Sequence, residues 1–143
     1  MRDDRVLVYT ALRVESACLP QSLRNSARVI RSGMGRRRAQ IAAARGLAVE
    51  QARGVAVAGL CAGTGADVRT GDVLLASELR RPDGVRVQAA GSRALAAALR
   101  RRGLRARSAT LASVARIAGP SERAYLAAEG VDGVDMESAW LAD

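Results

Sequence analysis

A chain of 143 residues with no histidine, and with arginine at all 23 basic positions, is sized for one domain. It excludes histidine triads, histidine metal ligands, and lysine Schiff-base or P-loop chemistry. The formal charge of +9 would ordinarily raise nucleic acid or an anionic membrane as a partner. The arginines are spread, however, with only two tight runs, Arg36-Arg37-Arg38 and Arg100-Arg101-Arg102. The excess therefore reads as the solvated surface of a chain encoded by G+C-rich DNA, and neither partner is expected.

The apolar fraction of 49% contains no Phe, so the core must be packed from small aliphatic side chains. Cys18 and Cys61 are too few and too far apart for a zinc site or a disulfide framework. They read as reduced core thiols in a cytoplasmic protein, with no metal expected.

In chain order, Val6-Leu7-Val8-Tyr9 predicts a buried first strand. The apolar run over residues 6–12 is broken by Thr10 and is too short for a signal-peptide core or a membrane span. Val14, Ala17 and Cys18 have helical spacing. Val29-Ile30 predicts a second strand running into the Gly33-Met34-Gly35 turn, and the Ala-rich residues 36–47 predict a helix ending near Gly46. Residues 54–59 predict a third buried strand, leading into the small-residue loop Cys61-Ala62-Gly63-Thr64-Gly65. Thr70-Gly71-Asp72 turns into a fourth strand over 73–76, and Arg81-Pro82-Asp83-Gly84 predicts another turn. Ser92 reads as the N-cap of a helix reaching Arg102 and stopping at Gly103. A strand is expected within 104–111, a helix from Pro120-Ser121 to Glu129, extended chain over 131–136, and a last helix opening at about Glu137. Strands alternating with helices, without a linker, predict one α/β domain over residues 1–143 with helices on both faces of its sheet.

Four segments together are similar to the nucleoside phosphorylase superfamily. In particular they resemble the branch holding methylthioadenosine/S-adenosylhomocysteine nucleosidases and hopanoid-associated phosphorylase-like proteins. The segments are residues 6–15, Gly33-Met34-Gly35, the pair Gly59-Leu60-Cys61-Ala62-Gly63 and Gly71-Asp72-Val73, and Val134-Asp135-Met136-Glu137-Ser138. The resemblance runs from about Arg5 to Ala142. It implies a three-layer αβα fold with a central mixed, mostly parallel sheet, and cleavage of the N-glycosidic bond of a purine nucleoside by a hydrolase or a phosphorylase (a glycosyltransferase).

The resemblance assigns Met136 to pack under the ribose and Glu137 to accept hydrogen bonds from the sugar hydroxyls. A carboxylate at the carboxyl end of a strand faces the usual ligand crevice and can accept from two vicinal hydroxyls. It also favours positive charge developing on the sugar as the bond breaks. A helix N-terminal Glu interacting with free amides is the plainer reading of the same residue. Glu15, just beyond the first strand, matches the carboxylate that positions and deprotonates the attacking water. An exposed helix residue is its alternative.

Gly59, Cys61, Ala62 and Gly63 match a loop whose amides approach ribose or phosphate; a tight turn without a ligand is the alternative. Leu60 stands where phosphorylases offer a hydroxyl and Val57 where some offer an Arg, so water is the expected nucleophile and phosphate an optional partner. Ile117 is the one apolar base contact that carries over. The family's Asp that protonates the departing purine lies some twenty residues beyond the Met-Glu pair. The chain stops at Asp143, which is wrongly placed to replace it, so a C-terminally shortened member is expected. Losing general acid catalysis typically costs about 10²- to 10⁴-fold.

The expected partners are a purine nucleoside and further copies of the chain in a homo-oligomer, with no cofactor. A non-catalytic nucleoside-binding or subunit-interaction module is the alternative function, and an Arg-rich nucleic-acid binder the weaker one.

Overall fold

The first apolar run forms β1 (Val6–Thr10) in a computed structural model that describes residues 5–49 and 52–142. Arg2, Asp3 and Asp4, beside the apolar run, and Asp143 lie outside the described residues. After β1 come α1 (Arg13–Cys18), α2 (Gln21–Ser26), β2 (Ala27–Arg31), α3 (Arg36–Val49) and β3 (Gly54–Val57). β1 pairs in parallel with both neighbours, giving the order β2-β1-β3. Parallel partners cannot be joined by a tight turn, so α1 and α2 bridge β1 to β2, and α3 bridges β2 to β3.

Alternation along β1 sends Leu7 and Tyr9 to one face, where they pack with Ala39, Ala42 and Ala43 of α3 and with Trp140 and Leu141. Large side chains from the strand thus meet alanines on the helix. The Tyr9 hydroxyl donates to the Ala42 carbonyl oxygen at 3.2 Å. A Cβ built on Gly46 would lie 1.9 Å from that hydroxyl, so Gly46 admits the Tyr9 ring and does not end the helix, which runs on to Val49. β3 departs from its expected burial: Val55 and Val57 are 47% and 36% exposed, because β3 is an edge strand of its sheet.

Residues 61–139 form a second compact unit. Its elements are β4 (Ala62–Gly63), β5 (Val73–Arg80), β6 (Arg86–Gln88), α4 (Ser92–Arg101), β7 (Ala106–Ser113), α5 (Pro120–Ala128) and β8 (Gly133–Asp135), before α6 (Ser138–Leu141). The sheet order is β4-β8-β7-β5-β6, with β7 parallel to β5 and β8, and β4 and β6 antiparallel at the edges. The α/β class with parallel-rich sheets is therefore observed. The core of this unit is built from small aliphatics: Leu79, Ala109, Leu111 and Ala139 in one cluster, and Ala112, Val114, Ala118, Val131 and Val134 in another.

Ser92 is the first residue of α4, not its cap. Gly91 takes the cap position with φ of 78°, while the Ser92 hydroxyl lies 3.3 Å from that of Ser108. Among the described residues, no helix is long and apolar enough to cross a membrane.

Gly46→Ala gains about 1 kcal/mol of helix propensity but drives a methyl into the Tyr9 hydroxyl. Overpacking of a core costs about 1–3 kcal/mol, and the Tyr9–Ala42 hydrogen bond is lost as well. Urea unfolding followed by circular dichroism should show a net loss of about 1–2 kcal/mol.

Candidate functional site

β7 and β8 run in parallel and finish level, with Ser113 opposite Asp135. The carboxyl ends of such strands are where α/β sheets place ligands. The Ser113 hydroxyl donates to Asp135 Oδ1 at 2.5 Å and accepts from the Ala139 amide at 2.9 Å. Asp135 Oδ2 accepts from the Ser138 amide at 3.0 Å and from the Ser138 hydroxyl. The Val114 amide donates to the Asp135 carbonyl oxygen at 2.8 Å. One carboxylate and one fully buried hydroxyl thus tie two strand ends to the amides that open α6, which a short helix cannot satisfy internally.

The consequence is a fixed course for Met136 and Glu137, the two residues between β8 and α6. Glu137 is 8% exposed, and its Oε2 accepts from the Met136 amide at 3.3 Å. Met136 is half-buried against the cluster containing Val114, Ala118 and Val134. Ile117, next to the buried Ala118, is 80% exposed.

Cys61, Ala62 and Gly63, expected as a loop, belong to edge strand β4 or adjoin it. Ala62 pairs opposite Val134 and Gly63 opposite Gly133, so the small-residue segment runs alongside the strand that delivers Met136 and Glu137. Thr64 reinforces the pairing, its hydroxyl donating to the Val131 carbonyl oxygen and its amide to that of Asp132 at 3.1 Å. Cys18 and Cys61 are free and exposed rather than core thiols. Partial burial of the Cys61 sulfur, and then the Asp135 carboxylate, push its thiol above the ordinary pKa and keep it protonated.

Within residues 5–60 the candidate carboxylate is Glu15, half-buried in the first turn of α1. Its Oε2 accepts from the Ala11 and Leu12 amides at 2.8 and 2.7 Å, and its Oε1 from the Leu60 amide at 2.9 Å. Gly59 permits this approach, since a Cβ there would stand 2.8 Å from Oε1. A carboxylate has about four acceptor positions, so three amides leave room for one more donor. Leu60 itself is 72% exposed.

The structure therefore brings Glu15 together with Gly59 and Leu60, and sets Cys61, Ala62 and Gly63 beside the strand leading to Met136 and Glu137. No described contact joins Ile117 to Met136. Ser113 and Asp135 are the residues to which the sequence reading gave no role. A Ser at one strand end and an Asp three positions before a helix-opening Ser were the available signal. Among the described residues, no group of three or more His, Cys, Asp or Glu is placed to hold a metal ion.

No protein-family model matches the chain, and no curated protein does. Solved structures do. The chain is similar to the 5′-methylthioadenosine/S-adenosylhomocysteine nucleosidase of Helicobacter pylori, crystallised with butyl-thio-DADMe-Immucillin-A, at 16% identity and a TM-score of 0.83, covering 97% of this chain and 77% of that one. Futalosine hydrolase of H. pylori aligns at 15% identity and a TM-score of 0.81, over 97% and 81% of the two chains. The methylthioadenosine/S-adenosylhomocysteine nucleosidase of Neisseria meningitidis, in complex with methylthio-immucillin-A, aligns at 20% and 0.79, over 97% and 78%. At these identities the likeness is one of fold. The chain has the nucleosidase fold to which its sequence resemblance to the nucleoside phosphorylase superfamily pointed.

Ser113→Ala removes a donor to the half-buried Asp135 and an acceptor for the buried Ala139 amide. Leaving buried partners unsatisfied costs about 1–3 kcal/mol, so chemical denaturation should show a loss in that range, with little change in far-UV circular dichroism.

Proposed function

We propose that the chain binds a purine nucleoside and cleaves its N-glycosidic bond by hydrolysis. The observation that carries this reading is the buried Glu137, presented at the carboxyl end of β8 by the Ser113–Asp135–Ser138 network. A carboxylate so placed suits two vicinal ribose hydroxyls, each donating to it. Its negative charge gains most where the sugar becomes an oxocarbenium-like cation, which is where electrostatic preorganisation accelerates a reaction.

Glu15 is the residue assigned to water. Its remaining acceptor position can take one water proton and aim the oxygen. In the reaction the water oxygen bonds to C1′, and the C1′–N electron pair leaves with the purine, which takes up a proton. The water proton bound by Glu15 passes to that carboxylate, the other stays on the new C1′ hydroxyl, and the proton on the purine comes from solvent. Met136 supplies an apolar surface for the sugar and Ile117 an exposed apolar contact for the base. Water is favoured over phosphate because an apolar, exposed Leu60 stands where a phosphorylase would present a hydroxyl.

A non-catalytic nucleoside-binding module is the second reading. It is favoured by the three amides that Glu15 already holds, which give that carboxylate a structural use without turnover.

Release of free base from 5′-methylthioadenosine and adenosine, with and without inorganic phosphate, separates the readings. Hydrolysis is expected to proceed equally without phosphate. Glu137→Ala should lower kcat about 10²- to 10³-fold, and Glu15→Gln about 10²- to 10⁴-fold. Release only with phosphate would make the chain a phosphorylase. Thermal stabilisation by the nucleosides without release would support the binding module, and neither effect would overturn both readings.

A further inference from the structure

A groove of about 270 Å³ lies between β2 and α3, lined by Arg28, Ile30, Arg31, Arg38, Ile41 and Arg45, with Ser32, Ala42 and Gly46 completing it. Its composition follows from two periodicities. Arg28 and Ile30 alternate along β2, Arg31 and Ser32 join them where the strand ends, and Arg38, Ile41, Ala42 and Arg45 recur at helical spacing on one face of α3. The result is an apolar base of Ile30, Ile41 and Ala42 beneath a set of guanidinium groups, with no carboxylate in the lining. Arg38 is seated by the Gly33 turn, where a Cβ would meet its Cδ at 2.8 Å.

Charge balance separates this groove from the rest of the molecule. Residues 1–60 hold eleven arginines against four carboxylates, Asp3, Asp4, Glu15 and Glu50, and Glu15 is engaged by amides elsewhere. In residues 61–139, by contrast, Arg80 and Arg86 pair with Glu78, Arg81 with Asp83, Arg105 with Asp72, Arg107 with Asp67 and Asp132, and Arg116 with Glu122. Arg31, Arg38 and Arg45 have no carboxylate partner among the described residues. Like charges gathered around a concave apolar surface repel one another, and a multivalent anion relieves that repulsion while accepting bidentate hydrogen bonds from the guanidinium forks.

We propose that this groove binds a small polyanion of the polyphosphate-ester class, its phosphates on the arginines and its carbon body on Ile30 and Ile41. The volume sits near the lower bound of small-molecule sites, about 300 Å³. It therefore fits a short chain of phosphates with a modest body better than a nucleic-acid backbone, which needs an extended track of cations. The site is independent of Glu137 and of the nucleoside reading.

The test is calorimetric titration of the full chain with sodium tripolyphosphate at low salt. This probe carries no sugar or base, so the ribose-binding residues give it no site. The double variant Arg31→Gln/Arg45→Gln is compared with Arg101→Gln/Arg102→Gln on the end of α4, and unliganded melting temperatures confirm that both fold. A single saturable site is expected, weakened at least about tenfold in the groove variant, or about 1.4 kcal/mol, and unchanged in the α4 variant. Absence of saturable binding would overturn the proposal, as would equal weakening in both variants. Tighter binding of a single-stranded oligonucleotide, spanning several chains per strand, would overturn it in favour of a nucleic-acid surface.

Discussion

Two parallel strands that end level leave their last carbonyl and amide groups facing a turn, and a helix that begins there adds its own unsatisfied amides. In this chain one side chain, Asp135, answers most of that demand, with Ser113 and Ser138 as its partners. Each hydrogen bond of this kind has a modest net worth, about 0.5–1.5 kcal/mol, but each broken one leaves a buried group unsatisfied. The network is therefore close to all-or-none, and Glu137 inherits its position from it. The direction of the candidate ribose acceptor is set by groups that would not themselves touch a sugar.

A similar economy of side chains shapes residues 5–60. With no Phe in the chain, bulk comes from Tyr9 and Trp140, and alanines and Gly46 on α3 make room for it. Arg36 lies over the Trp140 ring at 4.6 Å from its centroid, an arrangement that shields an indole face with a cation. The same helix carries Arg38 and Arg45 on the side facing β2, so a single amphipathic segment divides into an alanine face for the core and an arginine face lining a groove.

Much of this was legible from residue patterns. β-branched and apolar runs located β1, β2, β5 and β7, and the Ala-rich stretch located α3, because burial and propensity agree in those segments. β4 is not legible locally, since two small residues carry no strand signal and the pairing is imposed by β8. β6 and α2 went unseen for related reasons, one being a three-residue hairpin return after Arg81-Pro82-Asp83-Gly84 and the other a single polar helix following Pro20. At the candidate site, Glu137 and Glu15 stand out as candidates only through their family-like context. The supporting roles of Ser113 and Asp135 depend on which strands lie side by side, and strand order is not written in local sequence. The exposed Val55 and Val57 have the same origin: apolar content predicts a strand, but not whether it lies at an edge.

The central claim is that Glu137, held by the Asp135 network, accepts hydrogen bonds from the two vicinal hydroxyls of a nucleoside's ribose. Calorimetric comparison of adenosine with 2′,3′-dideoxyadenosine addresses it directly, since the pair differ only in those hydroxyls. Hydrogen bonds to a charged acceptor are worth about 1.5–3 kcal/mol each, so adenosine is expected to bind at least about tenfold more tightly. Equal affinity for the two nucleosides, or binding of neither, would contradict the account.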